Sequence, residues 1–314
     1  MSEASYADRR QARRGAGSDG RPAWDRDGLD WPNRSASRFV RAGGLDWHVQ
    51  QMGSGPVLVL AHGTGAATHS WRELAPLLAQ RFTVIAPDLP GHGFTSMPRA
   101  PGLSLPGMAQ ALGALLAALD ARPELVVGHS AGAAILARMC LDAQIAPRLL
   151  VSLNGALLPL RGLPGQVFSP IAKLAAATSV LPRLFAWHAR ADRRVIERLI
   201  RDTGSTLDPQ GAELYRRLAR RSGHVAAAFG MMANWDLRQL AHDLPYLKTP
   251  LLLVAGARDR AIPVADAERV RALLPTAHLV LLPGLGHLAH EERPADVARI
   301  ILAGIAGSPS ETPT

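Results

Sequence analysis

The sequence has little that would support redox chemistry, membrane insertion or export. Its 314 residues include one cysteine, Cys140, so a disulfide within the chain is excluded, and we expect a small buried side chain there rather than a redox group. No run of about 18 uninterrupted apolar residues predicts a membrane-spanning helix. The arginine pairs at 9–10 and 13–14 are not followed by the apolar stretch of an export signal. These absences predict a cytoplasmic protein.

Two further classes are disfavoured by missing patterns. Neither HExxH nor paired CxxC occurs, so the sequence predicts no catalytic metal, and nothing in it indicates another cofactor. The formal net charge of +9 attracts anionic partners in general. Because no nucleic-acid-binding motif is present and basic residues do not alternate with aromatic ones, we expect no nucleic-acid partner.

Aromatic residues are scarce, at 5% against 47% hydrophobic residues overall, so the core is expected to consist mostly of leucine, valine and alanine. An opening hairpin at 38–40 and 45–50 precedes an alternation of strands and helices. Further strands are expected at 57–61, 82–86, 125–128, 148–153, 251–256 and 278–282, with helices near 70–80, 104–120 and 131–142. This order predicts an α/β fold with a mostly parallel eight-stranded sheet and helices on both faces.

The alternation breaks at residues 156–236, where several helical segments and no clear strand occur. Because the sheet resumes at 251, we expect 156–236 to be an inserted helical cap, or lid, on a core made of 24–155 and 237–308. Residues 1–23 are rich in arginine, alanine, glycine and serine, and this composition predicts a disordered basic arm.

The pentapeptide Gly128-His129-Ser130-Ala131-Gly132 lies between the apolar strand 125–127 and the helix-forming stretch 133–139. A GxSxG pattern between a strand and a helix is typical of a nucleophile elbow, in which the serine occupies a sharp, strained turn. Ser130 is therefore the candidate nucleophile.

A serine nucleophile needs a histidine base and a carboxylate that orients the base. Asp259 follows the strand 251–256, and His287 lies in a glycine-rich loop after the strand 278–282, so both lie beyond the carboxyl ends of strands. Asp236 is the alternative carboxylate, with helix capping as its other interpretation. Asp88 is expected to stabilise a turn, and His290 to be solvated or to cap a helix.

Acyl transfer also needs two N–H donors for the oxyanion. The backbone N–H of Ala131 is one candidate, and that of Thr64, in the glycine-rich loop His62-Gly63-Thr64-Gly65, is the other. Candidates for substrate contact are four residues near the predicted site, each with packing as the alternative: His129, Asn154, Trp71 and Trp235.

At these residues the chain resembles the α/β-hydrolase superfamily, from about Ser37 to Ile305. The resemblance is carried by His62-Gly63, the segment 88–93, the Ser130 elbow, Asp259 and His287. The segments 24–34, 230–237 and 285–294 look like the magnesium-chelatase accessory hydrolases of bacteriochlorophyll biosynthesis. That resemblance implies a role near the insertion of magnesium into protoporphyrin in photosynthetic bacteria, with magnesium-chelatase subunits as partners, but it implies no particular reaction.

The predicted cap has an apolar half, 157–187, and a basic half. From Arg183 to Arg221 there are ten arginines against five acidic residues, a local net charge of +5. An apolar ceiling beside a basic flank suits a small-molecule substrate such as a carboxylate-bearing tetrapyrrole, and equally a peripheral contact with the photosynthetic membrane. The alternatives are packing of the apolar half onto the core and a solvated helical face.

Three functions follow from these patterns. The first is a cofactor-independent serine hydrolase acting on an ester or related acyl bond, with Ser130, His287 and Asp259 as its triad. The second is a non-catalytic accessory protein that binds a porphyrin or a chelatase subunit. The third keeps the fold but changes the reaction to C–C bond cleavage or cofactor-free halogenation.

Overall fold

The computed structural model describes residues 20–159, 178 and 180–305, and its central feature is an eight-stranded sheet with the order β1-β2-β4-β3-β5-β6-β7-β8. Pairs β1/β2 and β2/β4 are antiparallel, and the other five pairs are parallel. The strands are β1 Ser37–Ala42, β2 Leu45–Met52, β3 Val57–Ala61, β4 Thr83–Pro87, β5 Leu125–His129, β6 Leu149–Leu153, β7 Leu251–Gly256 and β8 His278–Leu282. The predicted mostly parallel sheet is confirmed.

Helices connect and cover these strands. They are α1 Trp24–Asp27, α2 Leu74–Leu78, α3 Leu105–Ala118, α4 Ala131–Leu141, α5 Val180–Ala191, α6 Arg194–Asp202, α7 Pro209–Ala219, α8 Ser222–Ala233, α9 Arg238–Asp243, α10 Val264–Leu273, α11 Ala289–Glu292 and α12 Pro294–Ile305. Short 3₁₀ turns lie at Arg34–Ala36, Thr68–Trp71, Ala100–Leu103 and Leu244–Tyr246. Within the described ranges, no helix has both the length and the apolar character needed to cross a bilayer.

The sheet is buried between two apolar layers. Strands β5, β6 and β7 are buried along their whole length, as expected for parallel strands covered on both faces. One layer packs α3, α4 and α10 against the sheet, and the other packs α2 and α12. Cys140 lies half-buried in α4, and burial raises the pKa of its thiol to about 11, so the thiol is protonated at neutral pH.

The connection after β3 differs from the predicted helix near 70–80. The structure has a 3₁₀ turn at Thr68–Trp71 followed by the five-residue helix α2. The first turn is held by a buried tertiary contact, because the backbone N–H of Thr68 donates to Asp88 Oδ1 at 2.7 Å. Residue periodicity carries no information about such a contact, so the prediction merged two elements into one.

Helices α5 to α8 lie between β6 and β7 in the chain, within the range predicted to be a cap. Residues 160–177 and 179 of that range, and 1–19 of the predicted basic arm, lie outside the described residues. The domain boundaries therefore stay predictions.

Candidate active site

Ser130 occupies a strained turn between β5 and α4. Its backbone has φ 51° and ψ −118°, a conformation that residues with a Cβ rarely adopt. Two hydrogen bonds hold the turn at the end of the sheet: the N–H of Ser130 donates to Leu153 O, and the N–H of Ala156 donates to Ser130 O, both at 3.0 Å. The turn therefore presents a partly exposed side chain beyond the carboxyl end of β5.

The glycines on either side of Ser130 are required by close packing. A Cβ at Gly132 would overlap the carbonyl oxygen of Ala61, and one at Gly128 would overlap the backbone of Ala133. Helix α4 thus approaches the neighbouring strand β3 more closely than any side chain permits. This contact explains why the GxSxG spacing fits the turn.

Asp259 and His287 form a buried hydrogen-bonded pair. Oδ2 of Asp259 lies 2.8 Å from Nδ1 of His287, and the aspartate side chain is fully buried. Oδ1 of Asp259 accepts from the N–H groups of Ala261 and Ile262, each at 2.8 Å. Because a carboxylate only accepts, the proton of the neutral imidazole is on Nδ1, which leaves the lone pair of Nε2 for another partner.

His129 links the turn at Ser130 to the loop 283–288 that carries His287, the histidine loop. Its Nε2 donates to the carbonyl oxygen of His287 at 2.9 Å, and the two imidazole rings are 4.7 Å apart. Among the described residues, neither Ser130 Oγ nor His287 Nε2 has a hydrogen-bond partner. Catalytic hydrogen bonds are often long without substrate and tighten in the complex, so this geometry is compatible with a Ser–His pair.

The loop after β3 lies against Ser130. A Cβ at Gly63 would be 3.0 Å from Ser130 Cβ. The carbonyl oxygen of Gly63 accepts from His62 Nδ1 at 2.8 Å and from the N–H of Ala66 at 3.2 Å. In a trans peptide the C=O and N–H point in opposite directions, so these bonds fix the direction of the Thr64 N–H. Within the described part of the chain, the N–H groups of Thr64 and Ala131 have no acceptor.

His62 is neutral in this arrangement. Its Nε2 accepts from the N–H of Leu89 at 2.8 Å, so the proton must be on Nδ1, facing Gly63 O. Burial lowers the pKa of His62, partly offset by the charge of Asp88. The ring therefore ties the loop after β3 to the loop after β4.

The family model for the alpha/beta hydrolase family matches residues 58–300, which is most of the chain. The chain belongs to the alpha/beta hydrolase family. Two curated relatives are informative. The magnesium-chelatase 30 kDa subunit of Rhodobacter capsulatus is 39% identical over 88% of this chain and 97% of that protein. A 2-hydroxy-6-oxo-2,4-heptadienoate hydrolase of Pseudomonas putida is 27% identical over 86% and 96%.

A solved structure of an alpha/beta hydrolase fold protein from Burkholderia ambifaria superposes with a TM-score of 0.73. It is 27% identical in sequence, and the match covers 85% of this chain and 97% of that one. The predicted alpha/beta hydrolase fold and the resemblance to the magnesium-chelatase accessory hydrolases are thus both confirmed.

The four residues predicted to contact substrate are placed differently from one another. Asn154 is buried, has φ 46°, and its Nδ2 donates to Asp259 Oδ2 at 2.7 Å, so its contacts are those of a residue that orients the carboxylate. Trp71 is fully buried in the apolar layer with α2. His129 is buried beside His287, and Trp235 is half-buried against the other apolar layer. For all four residues a substrate contact stays a prediction.

The alternative carboxylates have other contacts. Asp236 has a side chain that is 55% exposed, and its Oδ1 accepts from the N–H of Arg238 at the start of α9. Asp88 is fully buried and accepts from the N–H groups of Thr68 and Phe94 and from His48 Nδ1. Burial opposes ionisation of Asp88, but the contacts with His48 and the backbone hold its pKa below the usual range. Its carboxylate thus stabilises the turns beside the site.

The expectation that His290 is solvated or caps a helix is wrong. The side chain is 1% exposed, and its ring lies 4.4 Å from His129 and 4.7 Å from Trp71. Burial lowers its pKa to about 3, so the ring is neutral. His290 faces inward because its ring packs against two residues distant in the chain, His129 and Trp71.

A buried ionic network next to the histidine loop was missed. Arg72 donates to Glu291 and, at 2.8 Å, to Asp208, while the Tyr215 hydroxyl donates to Glu291 Oε1 at 2.7 Å. Burial raises the pKa of Glu291 to about 7, although Arg72 and Tyr215 both favour its ionised form. The network connects three separate parts of the chain, so no local pattern indicates it.

Proposed function

We propose that the chain is a serine hydrolase that transfers an acyl group from an ester or related substrate to Ser130 and then to water. The observation that carries the proposal is the buried Asp259–His287 pair beside a serine in a strained turn. The N–H groups of Thr64 and Ala131, which have no acceptor among the described residues, supply two hydrogen-bond donors for the oxyanion. Asp259 is favoured over Asp236 as the orienting carboxylate because Asp259 is buried and hydrogen-bonded to His287, whereas Asp236 is exposed and paired with Arg238.

The proposed reaction has two steps. In the first, His287 Nε2 takes the proton of Ser130 Oγ while Oγ bonds to the carbonyl carbon, and the oxyanion accepts from the N–H groups of Thr64 and Ala131. Collapse of this intermediate breaks the bond to the leaving group, which receives the proton from His287. In the second, His287 deprotonates water, which attacks the acyl carbon, and Ser130 leaves and regains its proton. Asp259 stays ionised and stabilises the imidazolium throughout.

The test is turnover of short p-nitrophenyl esters by matched variants. We expect Ser130→Ala and His287→Gln each to lower kcat by roughly a thousandfold or more, because the triad acts as a unit. The exposed Ser35 offers a control, and Ser35→Ala is expected to keep wild-type turnover. Unchanged turnover in Ser130→Ala would refute the proposal.

For the physiological role, we propose a carboxylate-bearing tetrapyrrole as the ligand, at or near the magnesium-chelatase step of bacteriochlorophyll biosynthesis. Support comes from the 39% identity to the magnesium-chelatase 30 kDa subunit and from the basic segment 183–221. Protoporphyrin IX and its magnesium complex are expected to inhibit ester turnover competitively. A porphyrin without carboxylates is the control ligand. Equal inhibition by it would show that the carboxylates do not contribute to binding.

The non-catalytic accessory role predicts a different outcome in cells. If the triad is used, a strain whose copy carries Ser130→Ala accumulates no bacteriochlorophyll, although the variant still binds porphyrin. If the chain serves only as a binding partner of chelatase subunits, the same strain makes normal pigment. C–C bond cleavage and cofactor-free halogenation share the same site, and product analysis by mass spectrometry separates them from ester hydrolysis.

We also propose that α5 to α8 belong to a cap formed by 156–236 on a core of 24–155 and 237–308.

We further propose that the protein is cytoplasmic and that it contacts an anionic membrane through α5 and α6. Val180, Leu184 and Trp187 recur at helical spacing on α5 and are 56%, 53% and 65% exposed. Five exposed arginines flank them without an ion pair among the described residues: Arg183, Arg193, Arg194, Arg198 and Arg201. Apolar residues beside unpaired arginines are typical of helices that lie in an anionic interface.

Vesicle flotation tests the membrane contact. We expect the protein to float with vesicles containing phosphatidylglycerol and not with pure phosphatidylcholine. Trp187→Ser combined with Leu184→Ser is expected to abolish flotation, whereas Tyr246→Ser, at a side chain 72% exposed outside the predicted cap, is expected to have no effect. Equal flotation of both variants would refute the assigned surface.

A further inference from the structure

His224, on α8, contacts the loops that follow β3 and β4. Its ring is buried, with Nδ1 3.1 Å from the backbone N of Gly93 and Nε2 3.0 Å from the carbonyl oxygen of Gly65. Since a backbone N–H can only donate, Nδ1 must accept, and the neutral ring donates from Nε2 to Gly65 O. Burial lowers the pKa of His224 to about 4, in agreement with a neutral ring.

The bond to Gly65 holds one end of the loop that carries the Thr64 N–H. His62 holds Gly63 O on one side of Thr64, and His224 holds Gly65 O on the other. Gly65 has φ 76°, so the loop turns sharply at this residue, and its course depends on both anchors. Of these two anchors, only His224 lies in the segment between β6 and β7.

Helix α8 contacts the same loop a second time. The hydroxyl of Thr64 donates to the sulfur of Met231 at 3.4 Å. His224 and Met231 are seven residues apart and therefore lie on one face of the helix. Ala227, on that face too, lies against the loop after β4, since a Cβ at Gly91 would be 2.7 Å from Ala227 Cβ. Helix α8 thus contacts the Thr64 loop through two residues, His224 and Met231, and also packs against the loop after β4.

We propose that His224 is a positioning residue: by donating to Gly65 O, it aims the Thr64 N–H at the oxyanion formed on Ser130. This inference rests on the proposed function, since it assigns a task within that reaction. Its consequence is that part of the oxyanion site is set by the segment between β6 and β7 rather than by the core alone. A displacement of α8 would then change the rate of acyl transfer without changing the triad.

Two isosteric substitutions separate the two bonds of His224. The amide of Gln places its nitrogen near the position of Nε2 and keeps a donor for Gly65 O. The shorter Asn places its oxygen near Nδ1, keeps an acceptor for the Gly93 N–H, and does not reach Gly65. We expect His224→Asn to lower kcat for p-nitrophenyl esters about 10- to 100-fold, with KM changed less than threefold. We expect His224→Gln to remain within about threefold of wild type.

A second measurement does not depend on turnover. Amide hydrogen exchange in a peptide covering 63–68 is expected to be faster in His224→Asn than in wild type or His224→Gln. His188→Asn, at an exposed histidine of α5, is the control for both measurements. Wild-type kcat and exchange in His224→Asn would overturn the inference, as would equal impairment of the Asn and Gln variants. Absence of Ser130-dependent turnover in wild type, with faster exchange in His224→Asn, would refute the proposed function but keep the anchoring of the loop.

Discussion

Ser130 is held in its unfavourable backbone conformation by contacts on both sides of the turn. One of these contacts is at Gly132, where an added Cβ would overlap the carbonyl oxygen of Ala61, so there is no room for a side chain. Gly132→Ala is therefore expected to destabilise the protein by about 3 kcal/mol, because backbone atoms cannot shift as a flexible side chain can. Urea unfolding measures this free energy.

Gly113→Ala is the matched control for this substitution. Gly113 lies inside α3, and the nearest atom to an added Cβ is Oε1 of Gln144, at the end of a flexible side chain. Alanine favours the helix by up to about 1 kcal/mol relative to glycine, so the control is expected to be neutral or stabilising. Similar destabilisation by both substitutions would contradict the close contact between α4 and β3.

We propose that Asn154 acts on the reaction through Asp259, to which its side-chain amide donates. Because Asn154 has φ 46°, glycine is the substitution that removes the amide without adding backbone strain. We expect Asn154→Gly to lower kcat for esters about tenfold with little change in KM, since Asp259 Oδ2 loses a donor and its hold on His287 loosens. A larger effect on KM than on kcat would instead indicate direct contact with substrate.

At the scale of elements, the histidine loop and α11 are braced by the network of Arg72, Glu291 and Tyr215. Tyr215→Phe removes a donor from the fully buried carboxylate of Glu291, so we expect a loss of about 1–3 kcal/mol in the free energy of unfolding. Tyr246→Phe, at an exposed tyrosine, is expected to change stability by less than about 0.5 kcal/mol. Equal stability of the two variants would show that the network contributes nothing.

The elements around the candidate site were predictable where the sequence carries a local pattern. Strands β5, β7 and β8 are apolar runs with a glycine within two residues of the carboxyl end. The positions of Ser130, Asp259 and His287 after strand ends therefore follow from the sequence, while their catalytic roles stay predictions. The inward direction of His290, the contact of His224 with Gly65, and the 3₁₀ turn at Thr68–Trp71 depend on packing between distant segments. No periodicity within one segment reports such packing.

Across the whole molecule, buried neutral histidines make the free energy of unfolding depend on pH. Burial lowers the pKa of six of them among the described residues: His62, His69, His92, His129, His224 and His290. Unfolded histidines titrate near 6.5, so their contribution to stability is complete above that pH and is lost as the pH falls toward the lowered values. Glu291 has the opposite effect, because its pKa is raised in the folded protein and its contribution to stability therefore increases as the pH falls.

We therefore expect the free energy of unfolding to fall steeply between pH 6.5 and 5. A histidine that stays neutral in the folded protein throughout this window contributes at most about 1.4 kcal/mol per pH unit. Urea titrations at pH 7.5, 6.5 and 5.5 measure how the free energy of unfolding changes with pH. His290→Gln is expected to lower the number of protons taken up on unfolding by about one. His188→Ala, at an exposed site, is expected to leave that number unchanged. A free energy that stays constant from pH 7.5 to 5.5 would contradict the neutral buried histidines.

The proposed acyl transfer requires Ser130 to be an activated nucleophile. Labelling of the purified protein with a fluorophosphonate, followed by intact mass and peptide mapping, measures this reactivity. We expect one adduct per chain, located on Ser130, absent in Ser130→Ala and present in Ser35→Ala. A folded wild-type protein that forms no adduct, or an adduct that persists in Ser130→Ala, would contradict it.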